Sequence, residues 1–307
     1  MRHFATEGLS TRAYLQSAIK QPQLFYQKPE TLIVNIEGVV KHFAADGLMT
    51  RDYLQAAVEQ PSLFCQKADT LIDNIGEVVR HFATEGLTTH HFVHAAVKQP
   101  QLFHQRPATL IGNIEDVVKH FTAEGLTTRA YLQAAVKQPS LFCQKPATLI
   151  GNVEGVVNHF ARDGLTASKY LQATLKHPAI FTQKPSTIIG HANLIESLQN
   201  QRILAIDQGK SALLAFILKY PQYLSLAGDN LHLREIAAHI TDASGSLHVP
   251  RTHVESRLAA ALGHPHQKEP APKIDRLDSE DADLGRHARN LLLRALIHEG
   301  YLKGKLR

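Results

Sequence analysis

The stretch that decides the fold runs from His120 to Asn158 and reads HFTAEGLTTRAYLQAAVKQPSLFCQKPATLIGNVEGVVN. Its opening dipeptide, His-Phe, returns every 39 residues, at His3, His42, His81, His120 and His159. A fixed period of this length is typical of solenoids, in which each unit buries its apolar face against its neighbours. The sequence therefore predicts a solenoid of five tandem 39-residue repeats.

Each repeat begins with a helical pattern that we name helix A. In the quoted copy it follows Gly-Leu, and Thr127 or Thr128 is expected to cap its first turn. Pro139 should end it, because proline has no N–H to donate and its ring clashes with the preceding turn. The bulky segment after it is expected to form a 3₁₀ turn that buries Leu141 and Phe142.

A second helix, helix B, is predicted to begin near Pro146, since proline is favoured in the first turn. Apolar residues follow at helical spacing as far as Phe160. Gly164 is expected to end the helix in the left-handed conformation, as are its counterparts Gly8, Gly47, Gly86 and Gly125. Two helices and a turn per repeat make the fold class all-α, an α-solenoid.

The sequence divides into four predicted regions. Residues 1–197 form the five-repeat solenoid, and residues 198–263 form a degenerate sixth repeat with capping helices. Residues 264–279, which contain three prolines, are expected to be a linker. Residues 280–307 are predicted to be an amphipathic helix followed by a basic tail, and we expect this helix to pack conditionally on the end of the array.

The sixth repeat is recognised by its turn. The segment from Lys219 to Leu224 matches the Lys-Gln-Pro-x-Leu-Phe pattern of the other repeats. Its Pro221 lies 43 residues after Pro178, so about four residues are inserted relative to the usual period. Terminal repeats are usually atypical because they cap the array.

The N-terminal end leads to a different expectation. The chain starts at the tail of a helix B, so Phe4, Leu15 and Ile19 are expected to lack the cover of a preceding unit. Exposed apolar ends of solenoids favour association. We therefore expect self-association through this repeat, or descent from a longer array.

Composition sets broad limits on the chain of 307 residues. Apolar residues make up 44% and charged residues 20%, which is compatible with a folded core. No apolar run is long enough to span a membrane, and because the first repeat begins almost at once we expect no signal or transit peptide. Cys65 and Cys143 fall two repeats apart, so we expect no disulfide and a reducing, cytoplasmic location.

The order Gly-Leu-Ser/Thr, helix, Pro-x-Leu-Phe, helix resembles the repeat of the mitochondrial transcription termination factor family. In the second repeat it is carried by Gly47-Leu48, by Pro61 to Phe64, and by Leu71 to Val79. The resemblance covers about residues 3–224. It implies units of two α-helices and a 3₁₀ turn, stacked into a solenoid that binds nucleic acid. The units of this chain are longer than that family usually shows and more alike among themselves.

Charged and polar residues recur on helix A at i, i+4 and i+8, which places them on one stripe. Stacking would set the stripes side by side as a ladder that could follow a phosphate backbone. The predicted nucleic-acid-binding residues of this ladder are Arg12, Gln16, Lys20, Arg51, Gln55, Lys98, Arg129, Gln133, Lys137 and Lys176. Glu59 interrupts the ladder, so a solvated face copied by duplication is the competing interpretation.

Further positions repeat with the same period. A basic residue precedes helix B, at Lys28, Lys67, Arg106, Lys145 and Lys184. An acidic residue precedes the glycine, at Glu7, Asp46, Glu85, Glu124 and Asp163. Two positions vary: one holds Ala13, Asp52, His91, Ala130 and Lys169, the other Tyr26, Cys65, His104, Cys143 and Thr182. Variable side chains on a constant frame suit a modular RNA reader, and neutral drift gives the same pattern.

No catalytic or metal-binding set emerges from the sequence. His90 and His94 are one helical turn apart, yet no further ligand on that helix completes a metal site. The histidine of the His-Phe dipeptide has no acid or nucleophile at a repeated spacing, so we expect it to pack against the next unit. We therefore expect no enzyme, no metal and no cofactor.

The leading hypothesis is a helical-repeat protein that binds DNA or RNA through the basic face of helix A. A protein–protein interaction scaffold is the alternative, because charges of both signs alternate along the array. An effector delivered into another cell is a variant of either hypothesis.

Overall fold

The computed structural model describes residues 2–200 and 210–219, together with Pro221 and Leu224. These residues form twelve α-helices, of which the first eleven are joined by short turns, and they contain no β-strand. Successive helices pack against their neighbours in tandem. The predicted fold class, an all-α solenoid-like array, is confirmed.

The period of the sequence becomes a period of helices. In chain order the α-helices are α1 (Thr11–Lys20), α2 (Pro29–His42), α3 (Thr50–Glu59), α4 (Ala68–His81), α5 (Thr89–Lys98), α6 (Pro107–His120), α7 (Thr128–Lys137), α8 (Ser140–Cys143), α9 (Pro146–Phe160), α10 (Ala167–Lys176), α11 (Pro185–Asn200) and α12 (Lys210–Lys219). Helix A is thus α1, α3, α5, α7 and α10, and helix B is α2, α4, α6, α9 and α11. Shorter 3₁₀ turns span Arg2–Phe4, Pro22–Tyr26, Ala44–Asp46, Pro61–Cys65, Pro100–Phe103, Ala161–Asp163 and Pro178–Thr182.

The turn of the fourth repeat differs from the prediction. It forms a single turn of α-helix, α8, in which the Gln144 N–H donates to the Ser140 carbonyl at 3.2 Å. The other four repeats have the predicted 3₁₀ turn. Leu141 and Phe142 are buried as predicted, because either kind of turn directs the last two bulky residues inward.

Side-chain caps start most copies of helix A. The Thr127 hydroxyl accepts from the Ala130 N–H at 3.2 Å, which identifies Thr127 and not Thr128 as the N-cap. Ser10, Thr88 and Thr166 accept equivalent bonds in their own repeats. Met49 occupies this position in the second repeat and accepts no such bond.

The glycine of each repeat is left-handed, as predicted, but the prediction that it ends helix B is wrong. That helix has a phenylalanine as its C-cap, such as Phe43, Phe82 or Phe121, and the glycine lies four residues further on. The φ angles of Gly8, Gly47, Gly86, Gly125 and Gly164 lie between 89° and 94°. In the fifth repeat a 3₁₀ turn, Ala161–Asp163, separates the glycine from helix B. The chain then turns back so that the Leu165 N–H reaches the Phe160 carbonyl at 3.2 Å. This conformation is strained for any residue with a Cβ, which explains why glycine stands there in all five repeats.

The described chain divides into two compact units. The first comprises residues 1–153 and 174–182. Within it α2 packs on α4 and α4 on α6, while α1, α3, α5 and α7 lie side by side in that order. An aromatic ring of helix A packs edge-on against the phenylalanine of the next repeat's turn, with 6.0 Å between the centroids of Tyr14 and Phe64. This contact recurs in Tyr53–Phe103, Phe92–Phe142 and Tyr131–Phe181.

Of the described residues, the second unit contains 154–173, 183–200 and 210–219, together with Pro221 and Leu224. In it α12 packs against α11, and Lys210 lies 3.8 Å from the Asp163 carboxylate. His191 is hydrogen-bonded through Nδ1 to the Leu224 carbonyl at 2.9 Å. In the first unit the Asn152 amide, 39 residues earlier, donates to the Phe181 carbonyl at 3.1 Å. The Leu224 carbonyl therefore accepts a bond equivalent to the one that the turn phenylalanine Phe181 accepts.

The remaining predicted regions lie largely outside the described residues. These include most of the chain beyond residue 200, the linker at 264–279 and the C-terminal helix at 280–307. None of the helices described is both long enough and apolar enough to cross a membrane.

The expectation for the N-terminal end is partly wrong. Phe4 is only 5% exposed, because the 3₁₀ turn Arg2–Phe4 folds the chain back beside α2. Its neighbour His3 lies 2.7 Å from the Glu37 carboxylate and fixes this turn. Leu15 and Ile19 are 46% and 73% exposed, as expected.

Candidate nucleic-acid interface

The predicted ladder lies on the solvent side of helix A. All ten of its residues are exposed: Arg12, Gln16, Lys20, Arg51, Gln55, Lys98, Arg129, Gln133, Lys137 and Lys176. We call the three ladder positions of one helix A, at i, i+4 and i+8, a rung. Because α1, α3, α5 and α7 are successive neighbours, the rungs of the first four repeats lie side by side. Each rung extends about 12 Å along its helix.

In repeats two to four the first position of the stripe contacts the preceding repeat. His90 is hydrogen-bonded through Nδ1 to the Asp46 carbonyl at 2.8 Å, and Arg129 donates to the Thr84 carbonyl at 3.4 Å. Arg51 lies against Gly8, its Cγ 3.9 Å from the position that a Cβ would occupy there. The Asp46 and Thr84 carbonyls and Gly8 all lie in the loops that contain the left-handed glycines and that lead into helix A. The arginine position of the ladder therefore joins successive repeats, a role that the sequence analysis missed.

The last position of each rung stands at the opposite end of helix A, the end with the proline turn. Lysine occupies this position in four repeats, at Lys20, Lys98, Lys137 and Lys176. The basic residue before helix B forms a second row of cations at the same end of the repeat, because the turn that joins the two helices is only about 10 Å long. We call the eight of these residues that lie in the first unit the basic edge: Lys20, Lys28, Lys67, Lys98, Arg106, Lys137, Lys145 and Lys176. All eight are exposed.

Acidic residues are unevenly placed along this edge. In the first two repeats it also carries Glu30, Glu59 and Asp69. From Ala95 to Leu110, and over the matching segments of repeats four and five, the sequence has no Asp or Glu. The recurring acidic residue lies at the other end of each repeat, before the glycine. The proline-turn end of repeats three to five thus carries cations without acidic residues, whereas the other end carries charges of both signs, including Lys41, Arg80 and Lys119.

The electrostatics of the basic edge favour an anionic ligand. In the part of the chain that the structure describes, none of its lysines or arginines lies within ion-pair distance of a carboxylate. The lysines at the end of helix A lie at the negative end of that helix dipole, and this favourable interaction is enough to explain why lysine occurs there. The dipole does not explain the cations before helix B, because they add positive charge at the positive end of a helix dipole.

The two variable positions differ in accessibility. The first, exemplified by His91, is exposed or half-buried in the first turn of helix A. The second faces the preceding repeat: the Cys65 thiol lies beside the side chains of Tyr14 and Gln21. Burial there raises the pKa of the Cys143 thiol to about 11 and lowers the pKa of His104. The second position is therefore a packing position and is unsuited to reading an external ligand.

One statement about the His-Phe histidines is wrong. His81 Nε2 lies 2.8 Å from the Glu115 carboxylate, and His3 makes the same contact with Glu37, in both cases 34 residues further along the chain. Stacking of α4 on α6 brings His81 and Glu115 together, and the 3₁₀ turn Arg2–Phe4 brings His3 to Glu37 of α2, so the acidic partner does stand at a repeated spacing. Both pairs are exposed on the surface, and each histidine ring also stacks edge-on against its own phenylalanine.

His90 and His94 do lie close together, with 4.3 Å between ring centroids. The bond from His90 to the Asp46 carbonyl occupies one of its ring nitrogens. Within residues 2–200 and 210–219, no group of three or more His, Cys, Asp or Glu side chains is arranged to hold a metal ion.

Comparison with known proteins adds no assignment: no protein-family model matches the chain, and no curated protein matches it significantly.

Proposed function

We propose that this chain is a non-enzymatic helical-repeat protein that binds nucleic acid, DNA or RNA, along its basic edge and the adjoining face of helix A. The observation that carries the proposal is the absence of acidic residues beside a row of cations. Among the described residues, the eight exposed cations of the basic edge have no carboxylate within ion-pair distance, and this segment of repeats three to five contains no Asp or Glu in the sequence. The resemblance of the repeats to those of transcription termination factors supports the same proposal.

The arrangement suits contact with a phosphate backbone. Neighbouring helices pack about 8–10 Å apart, so each repeat would present its cations to roughly every third phosphate of a strand. Lysines act here as point charges on flexible stems and select charge over base identity. The exposed glutamines Gln16, Gln55 and Gln133 can donate further hydrogen bonds to phosphate or sugar oxygens. Affinity should come mainly from the release of counterions.

The test is fluorescence anisotropy with labelled duplex DNA, single-stranded DNA and RNA over a range of salt concentrations. The edge variant Lys98→Gln/Lys137→Gln/Lys145→Gln removes three cations of the basic edge. The control variant Lys41→Gln/Arg80→Gln/Lys119→Gln removes three exposed cations from the other end of helix B, so both proteins have the same net charge.

We expect the wild type and the control variant to bind with similar salt dependence. The edge variant should bind more weakly, with the slope of log K against log salt reduced by about 2–3 on duplex DNA, since each lost phosphate contact contributes about 0.9. No binding by the wild type at low salt, or equal losses in both variants, would contradict the proposal.

A protein partner is the second candidate, favoured by one observation: the apolar side chains Leu15, Ile19 and Phe25 are solvent-exposed. Exposed apolar side chains do not contribute to contacts with phosphates, so they favour a protein partner over nucleic acid. Partner capture from nuclease-treated extract by the edge variant as efficiently as by the wild type would support a protein-binding function independent of the basic edge.

A further inference from the structure

One end of the first unit exposes an apolar surface, which we call the N-terminal face. It consists of Leu15, Ile19, Phe25, Tyr26 and Val34, whose exposed fractions lie between 46% and 89%. Val34 belongs to this face because it lies one helical turn before Glu37 on α2, and Glu37 contacts His3 on that side.

The equivalent surfaces inside the array are covered. Phe25 is 59% exposed, whereas its counterparts Phe64, Phe103, Phe142 and Phe181 are at most 1% exposed. Leu15 is 46% exposed, whereas Leu54 and Leu132 are 2% exposed. Each internal phenylalanine is covered by an aromatic ring of the preceding helix A, as Tyr14 covers Phe64. The face therefore has the shape and chemistry of a surface that packs against aromatic and apolar groups.

Two positions of this face depart from the repeat pattern. Tyr26 stands where the other repeats carry Cys65, His104, Cys143 and Thr182. Val34 stands where they carry Asp73, Gly112, Gly151 and Gly190. The end of a repeat array that faces only water usually has polar residues in place of apolar ones. A surface that packs against another standard repeat would have the small or polar residues that the internal repeats carry at these two positions. Both changes instead add apolar area, which indicates an occupant other than solvent or a standard repeat.

We propose that the occupant is a second copy of this chain, bound face to face about a two-fold axis. An apolar face is complementary to itself, and two-fold interfaces are the most frequent in homo-oligomers. The five side chains expose on the order of 700 Å², more than the largest apolar patch of a typical monomer and close to one partner's share of a stable interface.

The edge of the face also suits a two-fold pair. Lys28 and Glu30 are both exposed and carry opposite charges two residues apart, so an axis beside them can place each opposite the other. The Tyr26 ring of one copy can cover Phe25 of the other, as Tyr14 covers Phe64 within the chain. The contact requires no residue of the basic edge other than Lys28.

Sedimentation velocity of the full chain between 1 and 100 µM tests the proposal. The face variant Tyr26→Thr/Val34→Asp introduces residues that other repeats carry at the same positions. The control variant Cys143→Thr/Gly112→Asp makes the matching changes inside the array. The wild type and the control should dimerise alike, and the face variant at least tenfold more weakly, with unchanged helical circular dichroism. A monomeric wild type at 100 µM, or equal dimerisation by the face variant, would overturn the proposal.

A cross-link identifies the face independently. In a background of Cys65→Thr and Cys143→Thr, Tyr26→Cys should form an intermolecular disulfide between two identical peptides on mild oxidation. A dimer that forms no such link would contradict the face-to-face arrangement. The edge variant Lys98→Gln/Lys137→Gln/Lys145→Gln should dimerise normally, which separates failure of this proposal from failure of nucleic-acid binding.

Discussion

The first repeat and the internal repeats have nearly the same sequence but different environments. Both carry Pro-x-Leu-Phe after helix A, yet Phe25 is 59% exposed and Phe64 is 1% exposed. The local pattern is thus sufficient to form the helix and the turn, while burial of the phenylalanine depends on the neighbouring unit. In a solenoid the same residue stabilises the fold to different degrees according to its place in the array.

The largest expected effect tests this difference directly. Phe64→Ala should lower the free energy of unfolding by about 3–5 kcal/mol, because it removes a fully buried ring and leaves a cavity. Phe25→Ala should cost less than about 1 kcal/mol in the monomer, because its ring already contacts water. Urea denaturation at low protein concentration measures both. Equal losses would show that burial by the neighbouring repeat is not what stabilises the turn.

A second comparison concerns the caps of helix A. Thr127→Ala should destabilise the protein by about 1 kcal/mol, because it removes the acceptor for the Ala130 N–H. Met49→Thr should stabilise it by a similar amount, since the second repeat lacks this bond and Met49 is 62% exposed. Thermal denaturation of both variants checks the pair. A destabilising Met49→Thr would mean that Met49 has a packing role that its exposure conceals.

Much of the repeat could be predicted because its signals are local. Proline and the Thr127 cap each act within a few residues, so both ends of helix A follow from the sequence, whereas the glycine marks the loop after helix B and not the end of that helix. The His81–Glu115 pair and the bond from Arg129 to the Thr84 carbonyl could not be found in the same way. They join different repeats, and their spacings of 34 and 45 residues arise only when helices of known offset are stacked.

The candidate site, too, could be predicted from the sequence only in part. The rows of cations were visible in the sequence, but their grouping at one end of the repeat depends on where each helix begins and ends. The burial of Phe4 could not be predicted locally, because the 3₁₀ turn at Arg2–Phe4 is held by His3, whose partner Glu37 lies 34 residues away in α2.

A third prediction concerns acid sensitivity inside the array. Burial lowers the pKa of His104 below its ordinary value, and its Nε2 is buried without a hydrogen-bond partner. The unfolded chain therefore binds the proton more readily, so stability should fall as the pH drops through about 6.5, the ordinary histidine pKa. His104→Cys, the residue of the neighbouring repeats, should reduce this loss.

Denaturation of wild type and His104→Cys at pH 8 and pH 5 measures the effect. The exposed His91→Ala serves as the matched control, because Ala13 and Ala130 occupy the same position in other repeats. An equal change of acid sensitivity in both variants would rule out burial of His104 as the cause.

The smallest expected effect is that of the histidine–glutamate pairs between helices B. Glu115→Gln should change the free energy of unfolding by less than about 1 kcal/mol, because both partners are about half exposed. A double-mutant cycle with His81→Gln measures the coupling, and Glu37→Gln gives the equivalent value for the first repeat. A coupling well above 1 kcal/mol in the internal pair would show that these contacts contribute substantially to stacking.

The most direct test of the account is a lysine-modification footprint of the unaltered protein with and without nucleic acid. Acetylation rates measured by mass spectrometry compare the basic edge with exposed lysines elsewhere. We predict that Lys98, Lys137 and Lys145 become several-fold less reactive on binding, while Lys41 and Lys119 at the other end of helix B do not change. Protection of Lys41 and Lys119, or no protection of the basic edge while nucleic acid is bound, would contradict the central claim.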